Sequence, residues 1–202
     1  MSDDIKKAHE LIQKNLGYLT FSQSREEGIS YSAISKLIKD GDLVSEERGF
    51  YRLPNVYIDE YVILQHRYPK GIFSLESALL LHGLSQTIPF EPTMSFPYGT
   101  NTKLIKASGV KPVILRSNYS DGIVCVETPG SQIVMAYEAE RTLVECLRPI
   151  YKTDVQIIAP AFKLYSQNRK IDFSKLFHYA KIFKVENKVQ SYMEVLEFSG
   201  IL

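Results

Sequence analysis

Apolar residues return along the first sixty positions at intervals of three and four, and glycines cut the pattern into short helical lengths. Ile5, Ala8, Leu11, Ile12 and Leu16 fall on one face of a helix opening at Asp3 or Asp4, and Gly17 is its expected stop. Tyr18-Leu19-Thr20 reads as a brief extended entry. Residues 22–28 predict a short helix with Ser22 as N-cap and Gly28 as its end, because glycine takes positive φ without steric cost. Ser30 can cap a second helix over 30–40 by accepting a bond from an otherwise unpaired backbone N–H. Within it Ala33, Ile34, Leu37 and Ile38 form one apolar stripe, while Tyr31, Ser32, Ser35, Lys36 and Lys39 share the opposite face, and Gly41 ends it. Leu43-Val44, a charged tip closing at Gly49, and Phe50-Tyr51-Arg52-Leu53 then read as a β-hairpin that Pro54 terminates. Helix, turn, helix and hairpin in that order predict a winged helix-turn-helix over residues 1–56.

Beyond a linker at 55–59 the pattern predicts a helix over 60–68 and, after the turn Pro69-Lys70-Gly71, a buried helix over 74–84. Its apolar run is too continuous for an exposed helix; Ser74 with Ser77 offers a weak cap, and Gly83 closes it. From 93 to 127 the pattern shortens into strands at 93–96, 113–116 and 123–126, punctuated by Pro92, Pro97-Tyr98-Gly99, Ser117-Asn118 and Asp121-Gly122. Residues 133–136 add another strand, and 101–109 have room for a short helix. Helices return at 140–147, ended by Pro149, and at 157–165, 173–183 and 185–198. Strands flanked by helices make residues 57–202 a second domain, of α+β class with a small sheet and C-terminal helices.

Charge changes this picture locally rather than globally. The 202 residues are 45% hydrophobic and 23% charged with a net charge of +1, the profile of an ordinary globular protein. Residues 1–56, however, carry eight Lys and Arg against nine Asp and Glu, a net −1, whereas 103–202 carry fourteen against ten, a net +4. DNA affinity comes largely from phosphate neutralisation, so an isolated N-terminal module should bind weakly. A dimer on DNA, or the positive field of the second half, would have to contribute. No apolar run approaches the roughly 18 residues of a membrane span, and the N-terminus lacks a signal-peptide core, so a cytoplasmic location without a membrane partner is expected. Cys125 and Cys146 sit in a strand and a helix pattern, as buried free thiols of a reducing compartment would.

Candidate chemistry is sparse outside the N-terminal module. His9, His66, His82 and His178 lack metal-ligand spacing, and the chain has no Walker loop, nucleophile elbow or paired cysteines. No catalytic residue, metal or cofactor is therefore expected. His82 before Gly83 reads as a helix C-terminal residue favourable to the dipole. Glu76 and Glu140 read as salt-bridge or cap residues, and Arg141 as pairing with Glu138 or Glu145 on its own helix surface. The thirteen tyrosines are too scattered for a base-stacking platform. The expected site is thus the polar helix face: Tyr31, Ser32, Ser35 and Lys36 approaching bases, Lys39 holding phosphate, and Arg48 and Arg52 flanking Gly49 as wing anchors. The alternative reading of the same acidic module is a winged helix that meets protein rather than DNA.

Several segments carry a resemblance, in order along nearly the whole chain. They are Arg48-Gly49-Phe50-Tyr51-Arg52-Leu53-Pro54; Tyr68-Pro69-Lys70-Gly71-Ile72-Phe73-Ser74; Glu76 with Ala78-Leu79-Leu80-Leu81-His82-Gly83-Leu84; Pro97-Tyr98-Gly99 with Asn101; and Glu140-Arg141-Thr142-Leu143. In these the chain resembles the AbiEi-type antitoxins, the transcriptional-regulator half of type IV toxin–antitoxin and abortive-infection systems of bacteria. Members often carry a basic residue where Tyr98 stands here. The resemblance implies an N-terminal winged helix-turn-helix that represses its own operon by binding double-stranded operator DNA. It also implies a C-terminal domain that counters a nucleotidyltransferase toxin.

Overall fold

A computed structural model describes residues 3–167 and 172–198. They form a mixed α+β chain of two compact units, Met1–Pro69 with Glu127–Val134, and Lys70–Val126 with Met135–Leu202. The first unit therefore continues past residue 56, where a boundary was expected, and takes in a distant segment as well.

In the first unit, α1 (Asp3–Lys14) is followed by β1 (Tyr18–Thr20), α2 (Phe21–Glu26), α3 (Tyr31–Lys39), β2 (Val44–Glu47), β3 (Phe50–Arg52) and α4 (Glu60–Arg67). The strands form an antiparallel sheet in the order β1-β3-β2. Ile5, Ala8, Leu11 and Ile12 of α1 pack against Ala33, Ile34 and Leu37 of α3, with Leu19, Ile29, Leu43 and Tyr51 completing the core. The expected stripe is thus the buried one, Ile38 being only partly covered. One cap differs from the sequence reading. Ser22 lies inside α2, and the N-cap is Thr20, whose side chain accepts from the Gln23 N–H. The Gln23 carboxamide oxygen accepts in return from the Thr20 N–H at 3.1 Å, a reciprocal capping box that outcompetes the single serine bond. Ser30 caps α3 as expected, accepting from the Ala33 N–H. Gly17 turns the chain with φ +98°, and a Cβ there would lie 2.7 Å from a Val56 methyl, so glycine is required on both counts.

The second unit is built on a five-stranded sheet in the order β6-β5-β4-β8-β7. Its strands are β4 (Ile72–Phe73), β5 (Thr93–Pro97), β6 (Lys111–Leu115), β7 (Ile123–Glu127) and β8 (Ile133–Tyr137), although residues 127–134 count with the first unit. β4 pairs antiparallel with β5 and parallel with β8, and β5 pairs parallel with β6. The helices are α5 (Leu75–Leu81), α6 (Lys103–Ala107), α7 (Ala139–Cys146), α8 (Val155–Ser166), α9 (Phe173–Phe183) and α10 (Glu186–Phe198). Leu79, Leu143, Val144, Ala161, Phe162, Leu176, Ala180 and Val189 form their common core. No helix among the described residues is long and apolar enough to cross a membrane.

Several side chains depart from expectation here. Arg141 is not on the surface of its helix but fully buried. Its guanidinium lies 3.4 Å from the Tyr137 ring centroid, donates to the carbonyls of Asn118 (2.6 Å) and Asp121, and stands 3.6 Å from Glu145. It ties the loop before β7 to the core, which is why it is inside. Glu138 is taken instead by Lys175 at 2.6 Å and by the Tyr179 hydroxyl. Burial pushes the Glu145 carboxyl up, with Arg141 and Arg148 opposing. Cys125 is exposed on β7, while Cys146 is buried and its thiol pushed up by burial. Ser74 precedes α5 without a side-chain cap bond, its hydroxyl accepting instead from Ser95 at 2.9 Å. His82, at the C-cap of α5, donates from Nε2 to the Tyr137 carbonyl at 2.7 Å. Glu140, expected as a salt-bridge or cap residue, instead accepts from the Tyr165 hydroxyl at 3.0 Å.

Candidate nucleic-acid interface

Helix α3 owes its exposed face to its buried one. With Ala33, Ile34 and Leu37 against α1, the helical period turns Tyr31, Ser32, Ser35, Lys36 and Lys39 to solvent, and all five are exposed. The N-terminus is fixed twice: Ser30 caps it, and the Asp4 carboxylate accepts the Ser30 N–H at 3.0 Å. Hydrogen bonds from the Ser30 side chain and backbone hold the Asp4 carboxyl below the usual carboxylate range.

The five residues are not equally available. Ser32 shares a hydrogen bond with the capping Ser30 hydroxyl at 3.0 Å. Tyr31, 62% exposed, sets its ring edge-on to Phe21 of α2 with centroids 6.1 Å apart. That contact positions the ring. Ser35, Lys36 and Lys39 make no side-chain hydrogen bond or ion pair among the described residues. These three can donate to phosphates or base edges at no internal cost.

The β2–β3 hairpin handles its cations differently. Gly49, at φ +77°, makes the turn, and Arg48 beside it is exposed with no ion pair among the described residues. Arg52, expected as the second anchor, is largely spent: its Nε donates to Glu46 at 2.6 Å and its Nη1 to the carbonyls of Leu53 (3.2 Å) and Pro54 (2.9 Å). Helix α4 braces the same hairpin. Arg67 donates to Glu47 through Nε (3.1 Å) and Nη2 (2.5 Å), a pairing that raises its own pKa, and His66 Nε2 donates to the Arg48 carbonyl at 3.3 Å. Glu46 and Glu47, two of the nine acids that make residues 1–56 net −1, thus neutralise Arg52 and Arg67.

Arg25, in the last turn of α2, is exposed with no ion pair among the described residues and joins the candidates. Its signal was a lone cation ending the first of two helices, just before Gly28. No group of three or more His, Cys, Asp or Glu among the described residues is arranged to hold a metal.

Comparison with known proteins gives a family match over this part of the chain and a fold likeness over most of it. Residues 7–54, which run from α1 through β3, match the family model described as "Transcriptional regulator, AbiEi antitoxin". Among solved structures the fold is similar to that of the RV2827C protein from Mycobacterium tuberculosis, with a TM-score of 0.52 and 17% identity over 90% of this chain and 72% of that one. That likeness speaks to the fold alone. No curated protein matches the chain.

Proposed function

We propose that this chain, whose residues 7–54 match the AbiEi antitoxin family of transcriptional regulators, is a cytoplasmic antitoxin that represses its own operon. In this reading α2 and α3 are a helix-turn-helix, the β2–β3 hairpin is its wing, and residues 1–56 are the part that meets DNA. Helix α3 lies in the major groove with Tyr31, Ser32, Ser35 and Lys36 toward base edges and Lys39 toward phosphate. Arg48 anchors the wing, and Arg52 joins it only by leaving Glu46. The second unit, residues 57–202 in the sequence reading, carries the activity that counters a nucleotidyltransferase toxin.

The observation carrying this reading is the outer face of α3, where Ser35, Lys36 and Lys39 are exposed with no side-chain partner among the described residues. A gel shift of the full chain on the DNA upstream of its own gene tests it. Binding at low salt that fades by moderate salt is expected, because few phosphates are neutralised. Absence of binding at low salt would contradict it.

One observation favours a second reading, a winged helix that docks on protein. The N-terminal module is net −1, and Glu46 and Glu47 tie up Arg52 and Arg67. Under that reading the toxin, or another protein, retains affinity for the full chain while the upstream DNA does not bind.

A further inference from the structure

Strand β6 is an edge of the five-stranded sheet, bonded to β5 on one side. A groove of about 550 Å³ is lined by residues 111–118 of this strand and the turn after it, by the turn after α7 and by the end of α9. The lining carries three cations, Lys111, Arg116 and Arg148, and no carboxylate. Lys111 and Arg116 form no ion pair among the described residues, and Arg116 rests over the Tyr98 ring at 5.3 Å. Arg148 lies over the rings of Tyr151 (5.1 Å) and Phe183 (5.0 Å). The acid behind it, Glu145, is buried with an oxygen 3.7 Å away.

We propose that this groove takes an acidic, extended segment of a partner protein by strand addition to β6. The backbone argues for a peptide. Lys111 N–H donates inward, to the Pro92 carbonyl at 2.9 Å, so by the alternation of a parallel ladder Pro112 and Ile114 turn their backbone groups outward. The edge then offers the Pro112 and Ile114 carbonyls as acceptors and the Ile114 N–H as donor. An antiparallel guest can exchange two bonds with Ile114 and donate a third to Pro112. A phosphodiester backbone has no N–H groups to donate to those carbonyls. Charge argues for acidity: Lys111 and Arg116 bracket the edge, about 16 Å apart at the rise of a strand, so carboxylates toward both ends of the guest meet cations. Pro112 limits the pairing to a few residues, which keeps the edge from capturing strands indiscriminately.

The test is fluorescence anisotropy of the full chain with a short labelled peptide that carries paired glutamates at both ends and valines between them. Three comparison probes accompany it: the same peptide fully N-methylated, its lysine counterpart, and single-stranded oligothymidylate. The acidic peptide should bind, the N-methylated and lysine peptides should not, and Arg116→Glu should weaken the complex about tenfold or more. Ile114→Pro removes the outward donor and should also weaken it; if that variant loses its circular-dichroism signature of folding, the Arg116→Glu result and the N-methylated peptide decide. Binding unaffected by N-methylation would overturn strand addition. Tighter, Arg116-dependent binding of the oligothymidylate would make the groove a nucleic-acid site, and no binding of the acidic peptide would remove the proposal. None of these outcomes depends on whether α3 binds DNA.

Discussion

Helix α3 carries Lys36 and Lys39 and helix α7 carries Arg141, each near acidic residues, and the two helices put their cations to opposite use. On α3 the lysines face solvent with no partner among the described residues, whereas Arg141 of α7 is wholly inside, bonded to two carbonyls and stacked on Tyr137. The β2–β3 hairpin lies between these extremes, with Arg48 uncommitted and Arg52 held by Glu46. A cation's contribution to binding is limited by what it already holds. Counting charges along the chain treats all of these residues alike, so the net −1 of residues 1–56 understates what the α3 face can offer.

The sharpest way to break this contrast is to remove the committed cation. Arg141→Ala leaves buried Glu145 with only the half-buried Arg148 at 3.7 Å and leaves two loop carbonyls unbonded, and should cost about 3–5 kcal/mol of stability. Denaturant unfolding measures it, and operator affinity per folded molecule should not change. A loss below 1 kcal/mol, on the scale of an exposed pair, would mean that Arg141 is not committed as described.

Removing an uncommitted cation should do the reverse. Lys36→Ala is expected to weaken operator binding by about 1–3 kcal/mol if it contacts a base bidentately, with the melting temperature unchanged. Affinity and thermal unfolding measured on one preparation separate the two effects.

The hairpin refines the comparison further. Arg48→Ala should lower the slope of log affinity against log salt by about one unit without altering base preference. Glu46→Gln, which releases Arg52, should strengthen DNA binding and steepen that slope. A changed base preference in Arg48→Ala, with the slope intact, would assign the wing to base or minor-groove reading instead.

The smallest effect concerns the support of α3. The folded-state pKa of Asp4 is depressed, so its stabilisation is present above the ordinary carboxylate pKa and lost as pH falls through the lowered value. Asp4→Asn should be slightly less stable than the parent at neutral pH, and the difference should close in acid. Thermal melts across that range check it.

Much of this fold was legible because its periodicities are long. The α1 and α3 stripes, the hairpin around Gly49 and the helices after residue 139 follow from apolar spacing and glycine placement. Strand β4 was not legible: it is two residues long, too short to alternate, yet it sits mid-sheet. The extent of the first unit was hidden for another reason. The Asp59 N–H donates to the Gln132 carboxamide oxygen across 73 residues of sequence, and the Asp59 side chain accepts the Gly130 N–H. Such pairing leaves no local pattern. Nor could spacing place Arg141, since an i,i+4 pair with Glu145 looks the same on a surface as in a core. Of the interface, exposure of all five α3 residues was predictable from period alone. The Ser32 bond to Ser30 and the Arg52 bond to Glu46 depend on side-chain geometry that the period does not encode.

The most direct test is a gel shift comparing the parent chain with a Tyr31→Ala, Ser35→Ala, Lys36→Ala triple variant on the DNA upstream of its own gene. These side chains are exposed, so the variant should keep its fold, verified by circular dichroism. The parent should shift the DNA at low salt and the variant should not. An unchanged shift by the folded variant would contradict α3 as the reading helix.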